Sequence, residues 1–195
     1  MKIVIEGNIG CGKSTLLTYL QNKTRLPVFL ESINKWTLLD KFYDNIERYA
    51  FSFNLEVLLS MSIWKDNNFV ALYERSPVSC RKIFTEMNYE NGKIAKEELD
   101  LFDKLFETFG WEQDIIIYLE TSPEICYERM KKRNRSCEYS VPLDYLQNLH
   151  KKHIEMLEYV KNHKPHIKIY KINGNENEES ICKNVLKILR DNIIL

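Results

Sequence analysis

The chain has 195 residues, 44% of them hydrophobic, which is enough for an α/β core. Lysine plus arginine and aspartate plus glutamate each number 28, so no charge excess points to nucleic acid or an anionic membrane surface. The longest apolar runs are strand-sized, which argues against a membrane-spanning helix. The five cysteines (Cys11, Cys80, Cys126, Cys137 and Cys182) lack C-x-x-C spacing. They read as reduced thiols rather than a disulfide framework or a zinc site, as a cytoplasmic protein would have.

Strand-like runs are predicted at residues 2–6, 27–31, 69–74, 114–119 and 167–172, with no signal or transit segment ahead of the first. Helical patterns fall at 13–22, 36–43, 46–66, 77–87, 96–109, 123–132, 143–162 and 178–192. Ser122-Pro123-Glu124 reads as a helix start with a capping hydroxyl, proline at the first position and an acid near the positive end. Alternating β and α elements predict a five-stranded parallel sheet with helices on both faces. With no internal repeat or linker, residues 1–195 read as one domain. The helix at 46–66 carries Leu55, Leu58, Leu59, Ser62 and Ile63 at core-like spacing. The little charge within residues 51–63 leaves core, a substrate cavity or a partner subunit as what it faces.

The first strand runs into Gly7-Asn8-Ile9-Gly10-Cys11-Gly12-Lys13-Ser14-Thr15, which fits G-x-x-x-x-G-K-S/T between a strand and a helix. That context is what a phosphate-binding P-loop needs. Glycines let successive backbone N–H groups turn toward a polyphosphate at the positive end of a helix. Lys13 can then reach the β- and γ-phosphates, and the Ser14 hydroxyl can ligate Mg²⁺. A nucleoside triphosphate is the expected ligand.

In a parallel sheet, chemistry is sought just beyond the carboxyl ends of strands. The second strand ends at Glu31, with Trp36 five positions on. A carboxylate there can take a proton from an attacking hydroxyl, or it can cap a helix. The third strand ends Glu74-Arg75-Ser76. Glu74 stands where many P-loop proteins place a Mg²⁺-associated acid. Arg75 can orient the base and neutralise developing charge, the alternative being a surface ion pair of little worth. The cluster Arg129-Met130-Lys131-Lys132-Arg133-Asn134-Arg135 suits an arginine-rich lid closing on phosphates, over roughly residues 129–140, rather than a solvated helix end. The histidines His150, His153, His163 and His166 show no zinc-like set and read as structural or exposed.

Taken in order, these residues resemble the deoxynucleoside kinases, whose members include the mitochondrial-type thymidine kinase and the deoxycytidine, deoxyguanosine and broad-specificity insect enzymes. The resemblance covers nearly the whole chain. It rests on I-E-G-N-I-G-x-G-K-S-T from Ile5, E-x-x-x-x-W from Glu31, E-R-S from Glu74 and Y-L-x-T-S-P-E-x-x-Y-E-R from Tyr118. R-x-R-S from Arg133, V-P-L from Val141 and Y-L-Q-x-L-H from Tyr145 complete it. It implies a P-loop kinase fold, usually a homodimer, that transfers the ATP γ-phosphoryl group to a deoxynucleoside 5′-hydroxyl with Mg²⁺.

By that resemblance Glu31 matches the catalytic base and Arg75 the arginine that holds the 5′-oxygen and that base. Glu74 and Ser14 match the Mg²⁺ partners, directly or through water, and Arg129, Arg133 and Arg135 the lid. Tyr43 and Glu138 fall at the ligands of the sugar 3′-hydroxyl, and Phe84, Trp36 and Phe53 at the rings around the base. Where the family reads the base with glutamine, this chain has Asn54, shorter by roughly 1.5 Å. Met61 and Cys80 replace the arginine and aspartate of the branch that takes purines and deoxycytidine, which implies a thymidine or pyrimidine preference. The alternatives are a nucleoside monophosphate kinase such as thymidylate kinase, and a P-loop switch. The switch would lack the N-K-x-D guanine signature.

Overall fold

Ile3, Val4 and Ile5 of β1 (Lys2–Gly7) have no exposed surface, as a parallel strand covered on both faces requires. A computed structural model of the chain describes residues 1–135 and 138–193. Its sheet adds β2 (Val28–Phe29), β3 (Ala71–Glu74), β4 (Ile115–Glu120) and β5 (Lys168–Asn173), all parallel, in the order β2-β3-β1-β4-β5. Side chains alternate across it. Ile3, Ile5, Ile117 and Leu119 enter a core with α1 (Lys13–Lys23) and α9 (Glu178–Asn192). Val4 and Tyr73 point the other way, into a core with α3 (Ile46–Ser62) and α6 (Lys96–Phe109), while Ile116 and Tyr118 meet α8 (Leu143–His163). Truncating such a residue, Ile5→Ala for instance, costs about 2–5 kcal/mol.

The predicted five-stranded parallel sheet with flanking helices is therefore present, with several boundaries corrected. β2 keeps only two of its five predicted residues, because it pairs on one side alone, through Val28↔Leu72 and Phe29↔Tyr73. The helix expected at 36–43 is a 3₁₀ turn, Ile33–Lys35, followed by α2 (Leu39–Asp44). α3 stops at Ser62. Its stripe divides: Leu58 is fully buried, whereas Leu59 is 42% and Ile63 71% exposed. The helix expected at 77–87 is α4 (Pro77–Ser79), a π-helical stretch Cys80–Thr85, and α5 (Glu86–Glu90). Ser122 precedes α7 (Pro123–Arg133), but its hydroxyl makes no cap bond. Its backbone N–H instead donates to Asn175 Oδ1 at 3.0 Å. No helix among the described residues is long and apolar enough to cross a membrane.

Candidate active site

β1 is central, so the loop after it opens between β3 and β4 at the carboxyl edge of the sheet. Gly10 has φ 80°, and a Cβ there would lie 2.3 Å from the Cys126 carbonyl oxygen, so both conformation and space demand glycine. The Asn8 amide donates to the Leu146 carbonyl at 2.8 Å and pins the loop to α8. The Lys13 ammonium is nearly buried and donates to the Gly7 and Asn8 carbonyls at 3.2 and 3.0 Å. α1 carries no acid in its first turn, so its positive end is left for an anion.

The three strand ends converge beside this loop. Ser14 Oγ donates to Glu74 Oε1 at 2.8 Å, and the Glu31 backbone N–H donates to Glu74 Oε2 at 3.4 Å. Arg75 Nε meets Glu31 Oε1 at 3.1 Å. Arg75 is 4% exposed and its φ is 64°, a left-handed setting that costs about 1–3 kcal/mol for a non-glycine residue. The Arg75–Glu31 pair is thus largely buried rather than at the surface, with the Glu31 side chain facing Arg75. Burial raises the Glu31 pKa to about 7; Arg75 opposes the shift and the nearby Glu74 carboxylate adds to it.

A cavity of about 910 Å³ joins these groups to the arginine cluster around the end of α7 and to α3. Ile9, Gly10, Gly12, Lys13, Ser14 and Thr15 line it from the loop, whereas Gly7, Asn8 and Cys11 do not. Cys11 instead sits in the core beneath α1. Glu31, Trp36, Tyr43, Phe53, Asn54, Met61, Glu74, Arg75, Cys80 and Phe84 line the remainder, with Arg129, Arg133, Arg135 and Glu138 on the side of the arginine cluster. Trp36 meets Phe53 edge-on at 5.8 Å, and the Arg75 guanidinium lies over the Phe84 ring at 4.8 Å. The π-helical stretch carries both Cys80 and Phe84, as such bulges often do at functional sites. Asn54 is 2% exposed and its Nδ2 has no hydrogen-bond partner.

In the arginine cluster, Arg129 donates to the Cys11 and Gly174 carbonyls at 3.3 and 3.2 Å. Arg133 donates to both Glu138 oxygens at 2.6 and 2.8 Å, and Arg135 lies 3.6 Å from the same carboxylate. Ser136 and Cys137, within the expected lid, lie outside the described residues. The other four cysteines are buried and unpaired.

Sequence reasoning missed Glu6, His153 and Tyr145. Glu6 is fully buried, accepts from Ser76 Oγ at 2.9 Å and lies 3.8 Å from the Arg75 guanidinium. Burial raises its pKa, against the pull of Arg75. Its signal was a carboxylate inside the apolar run Ile3-Val4-Ile5-Glu6-Gly7. Tyr145 lines the cavity from the first turn of α8, and burial raises its pKa to about 12. His153, read as structural or exposed, is fully buried against Arg75.

A parallel sheet carrying a glycine loop, a lysine at the helix start and an acid–arginine pair at the neighbouring strand ends defines a phosphotransferase of the P-loop kinase fold. The chain belongs to the deoxynucleoside kinase family, whose model matches residues 3–193. It is 34% identical over 191 residues to the kinase-named 029R protein of Invertebrate iridescent virus 3, covering 96% of this chain and 95% of that one. It is 35% identical over 168 residues to human mitochondrial thymidine kinase 2, covering 80% of this chain and 63% of that one. A solved structure of deoxyadenosine kinase from M. mycoides with bound dCTP superposes with a TM-score of 0.85. At 22% identity, over 98% of this chain and all of that one, it shares the fold.

Proposed function

We propose that the chain, acting as one domain over residues 1–195, transfers the γ-phosphoryl group of ATP to the 5′-hydroxyl of a deoxynucleoside, with thymidine preferred. The observation that carries this reading is the 3.1 Å contact of Glu31 with Arg75 on the wall of the cavity that Lys13 and Ser14 share. Glu31 takes the proton from the 5′-hydroxyl, and a base poised near neutrality suits that step. Arg75 keeps the carboxylate aimed and offers positive charge to the oxygens in transfer. The loop from Gly7 to Thr15 cradles the triphosphate. Lys13 leaves the Gly7 and Asn8 carbonyls for the phosphates, and a lid over residues 129–140 brings Arg129, Arg133 and Arg135 toward them.

Ser14 and Glu74 offer two hard oxygen donors side by side, which fits a Mg²⁺ ion that takes its other ligands from water and phosphate. When bound, that ion neutralises phosphate charge. Tyr43 and Glu138 hold the sugar 3′-hydroxyl, and Phe84, Trp36 and Phe53 enclose the base. The unpartnered Asn54 Nδ2 is a donor for a base carbonyl, while Met61 and Cys80 line the base edge without charge.

The exposed Leu59 of α3, Ile63 just beyond its end and Leu101 of α6 support a homodimer, and the unpaired cysteines support a cytoplasmic setting. A panel of the four natural deoxynucleosides and thymidylate, each with ATP and Mg²⁺, tests the reading. Thymidine should give the highest kcat/KM. Turnover of thymidylate alone would favour the monophosphate kinase, and hydrolysis independent of any acceptor would favour the switch.

A further inference from the structure

Besides lying over the ring of Phe84, the guanidinium of Arg75 places Nη1 3.4 Å from His153 Nε2 and 3.8 Å from Glu6 Oε2. The imidazole alone is within hydrogen-bond reach. His153 comes from the middle of α8, is fully buried and stacks on Tyr118 at 5.8 Å. Its Nδ1 lies 2.6 Å from the Leu149 carbonyl oxygen. A carbonyl oxygen only accepts, so Nδ1 carries the proton, and in the neutral ring the lone pair then sits on Nε2. Arg75 only donates. Both contacts are satisfied together by one species, the neutral Nδ1–H tautomer.

We propose that His153 is a positioning residue for phosphoryl transfer, a neutral imidazole that anchors one end of the Arg75 guanidinium so that its Nε stays on Glu31. The charged and titratable groups facing the ring are Arg75, Lys13, Tyr118 and the neighbouring His150. Burial first and Arg75 second hold its pKa well below the ordinary imidazole range, so the lone pair persists at working pH. The contact also helps hold Arg75 in its left-handed backbone setting. This inference rests on reading Glu31 as the base.

The test compares His153→Phe, which keeps a ring on Tyr118 but removes the acceptor, with His153→Gln, which returns an acceptor oxygen near the position of Nε2. His153→Phe should lower kcat by about 10- to 100-fold, the range for a lost hydrogen bond to a charged group, with both KM values little changed. His153→Gln should recover most of that loss. Glu31 is faced by Arg75, Glu74, Lys13 and Glu6. With Arg75 loosened, the acid limb of the kcat/KM profile should move to higher pH in the Phe variant. Equal losses in the two variants with an unmoved acid limb would reduce His153 to packing and overturn the proposal.

Should His153→Phe not fold, the imidazole nitrogen resonances of the wild type decide. An unprotonated Nε2 that does not titrate from about pH 5 to about pH 9 supports the anchor, since an ordinary histidine titrates within that range. A protonated Nε2 refutes it. Glu31→Gln, assayed in parallel, separates the two readings: near-wild-type turnover there would remove the base, leaving the nitrogen resonances to judge the imidazole contact by itself.

Discussion

Glu31 Oε1 and Arg75 Nε lie 3.1 Å apart although their residues leave two different strands, β2 and β3. Pairing of Phe29 with Tyr73 fixes those strand ends side by side, so the contact is a product of sheet register. Glu31→Gln keeps size and a hydrogen-bond acceptor but cannot take a proton. With Glu31 as the general base, kcat should fall by about 10²–10⁴-fold while ATP and nucleoside still bind by calorimetry. Turnover within a few-fold of wild type would leave Glu31 as a partner of Arg75 and nothing more.

The raised pKa of Glu31 gives the same residue a pH signature. Its pKa lies near 7 because burial outweighs Arg75, so the proton-accepting form is lost as pH falls through about 7. The kcat/KM profile should rise to a plateau above that value. Stability runs the opposite way. A carboxyl with a folded pKa near 7 and an ordinary value of 4.5 adds stability that is full below 4.5 and lost as pH rises through 7. Thermal denaturation of Glu31→Gln should lack this part of the slope, and an unchanged slope would assign it elsewhere, Glu6 being the next buried carboxyl.

Arg75→Lys should be nearly as damaging as loss of the base. Lysine offers a point charge, and it cannot span Glu31 on one side and His153 on the other as a planar fork does. Initial rates at saturating substrates measure this. Activity close to wild type would show that charge alone suffices there.

The residues at strand ends were legible because a parallel sheet places ligands at its carboxyl edge, so Glu31, Glu74 and Arg75 could be picked out from position alone. Glu6 and His153 were not. Glu6 lies within a strand covered on both faces, where alternation does not reveal a site, and His153 reaches Arg75 across 78 positions of sequence through the packing of α8 on β4. The π-helical stretch Cys80–Thr85 leaves no periodic mark in sequence, although it sets where Cys80 and Phe84 point. Spacing alone also left open what the outer side of α3 faces. Leu59 and Ile63 follow a core-like spacing, yet both sit at the surface.

Sugar recognition should separate Tyr43 from Glu138. Tyr43→Phe should raise KM for the nucleoside and leave KM for ATP unchanged. Glu138 also carries the Arg133 pair, so Glu138→Gln should raise both, the nucleoside term by the larger factor. A hydrogen bond to a charged group is worth about 1.5–3 kcal/mol against about 0.5–1.5 for a neutral one. A 3′-deoxy analogue should be discriminated less by either variant than by wild type. Equal discrimination in all three proteins would place the 3′-hydroxyl elsewhere.

In the proposed reading base preference turns on Met61 and Cys80, both 1% exposed and both on the cavity wall. Met61 comes from α3 and Cys80 from the start of the π-helical stretch. Burial raises the Cys80 thiol to about 12, so it stays neutral, and the pair presents a soft apolar lining. A 5-methyl pyrimidine fits such a lining, and its ring carbonyls can accept from the unpartnered Asn54 Nδ2. An exocyclic amino group finds no carboxylate at these two positions. Thymidine should therefore give the highest kcat/KM, deoxycytidine and deoxyuridine should follow, and the purine deoxynucleosides should be poor. Met61→Arg or Cys80→Asp alone buries an unpaired charge, which costs about 3–5 kcal/mol and should damage folding and activity alike. Together the two can pair, and the double variant should recover stability and turn toward amino-bearing bases. A wild-type preference for deoxyadenosine or deoxyguanosine in the same panel would overturn this account, and Asn54→Gln, which restores the longer amide, would then be the variant to assay.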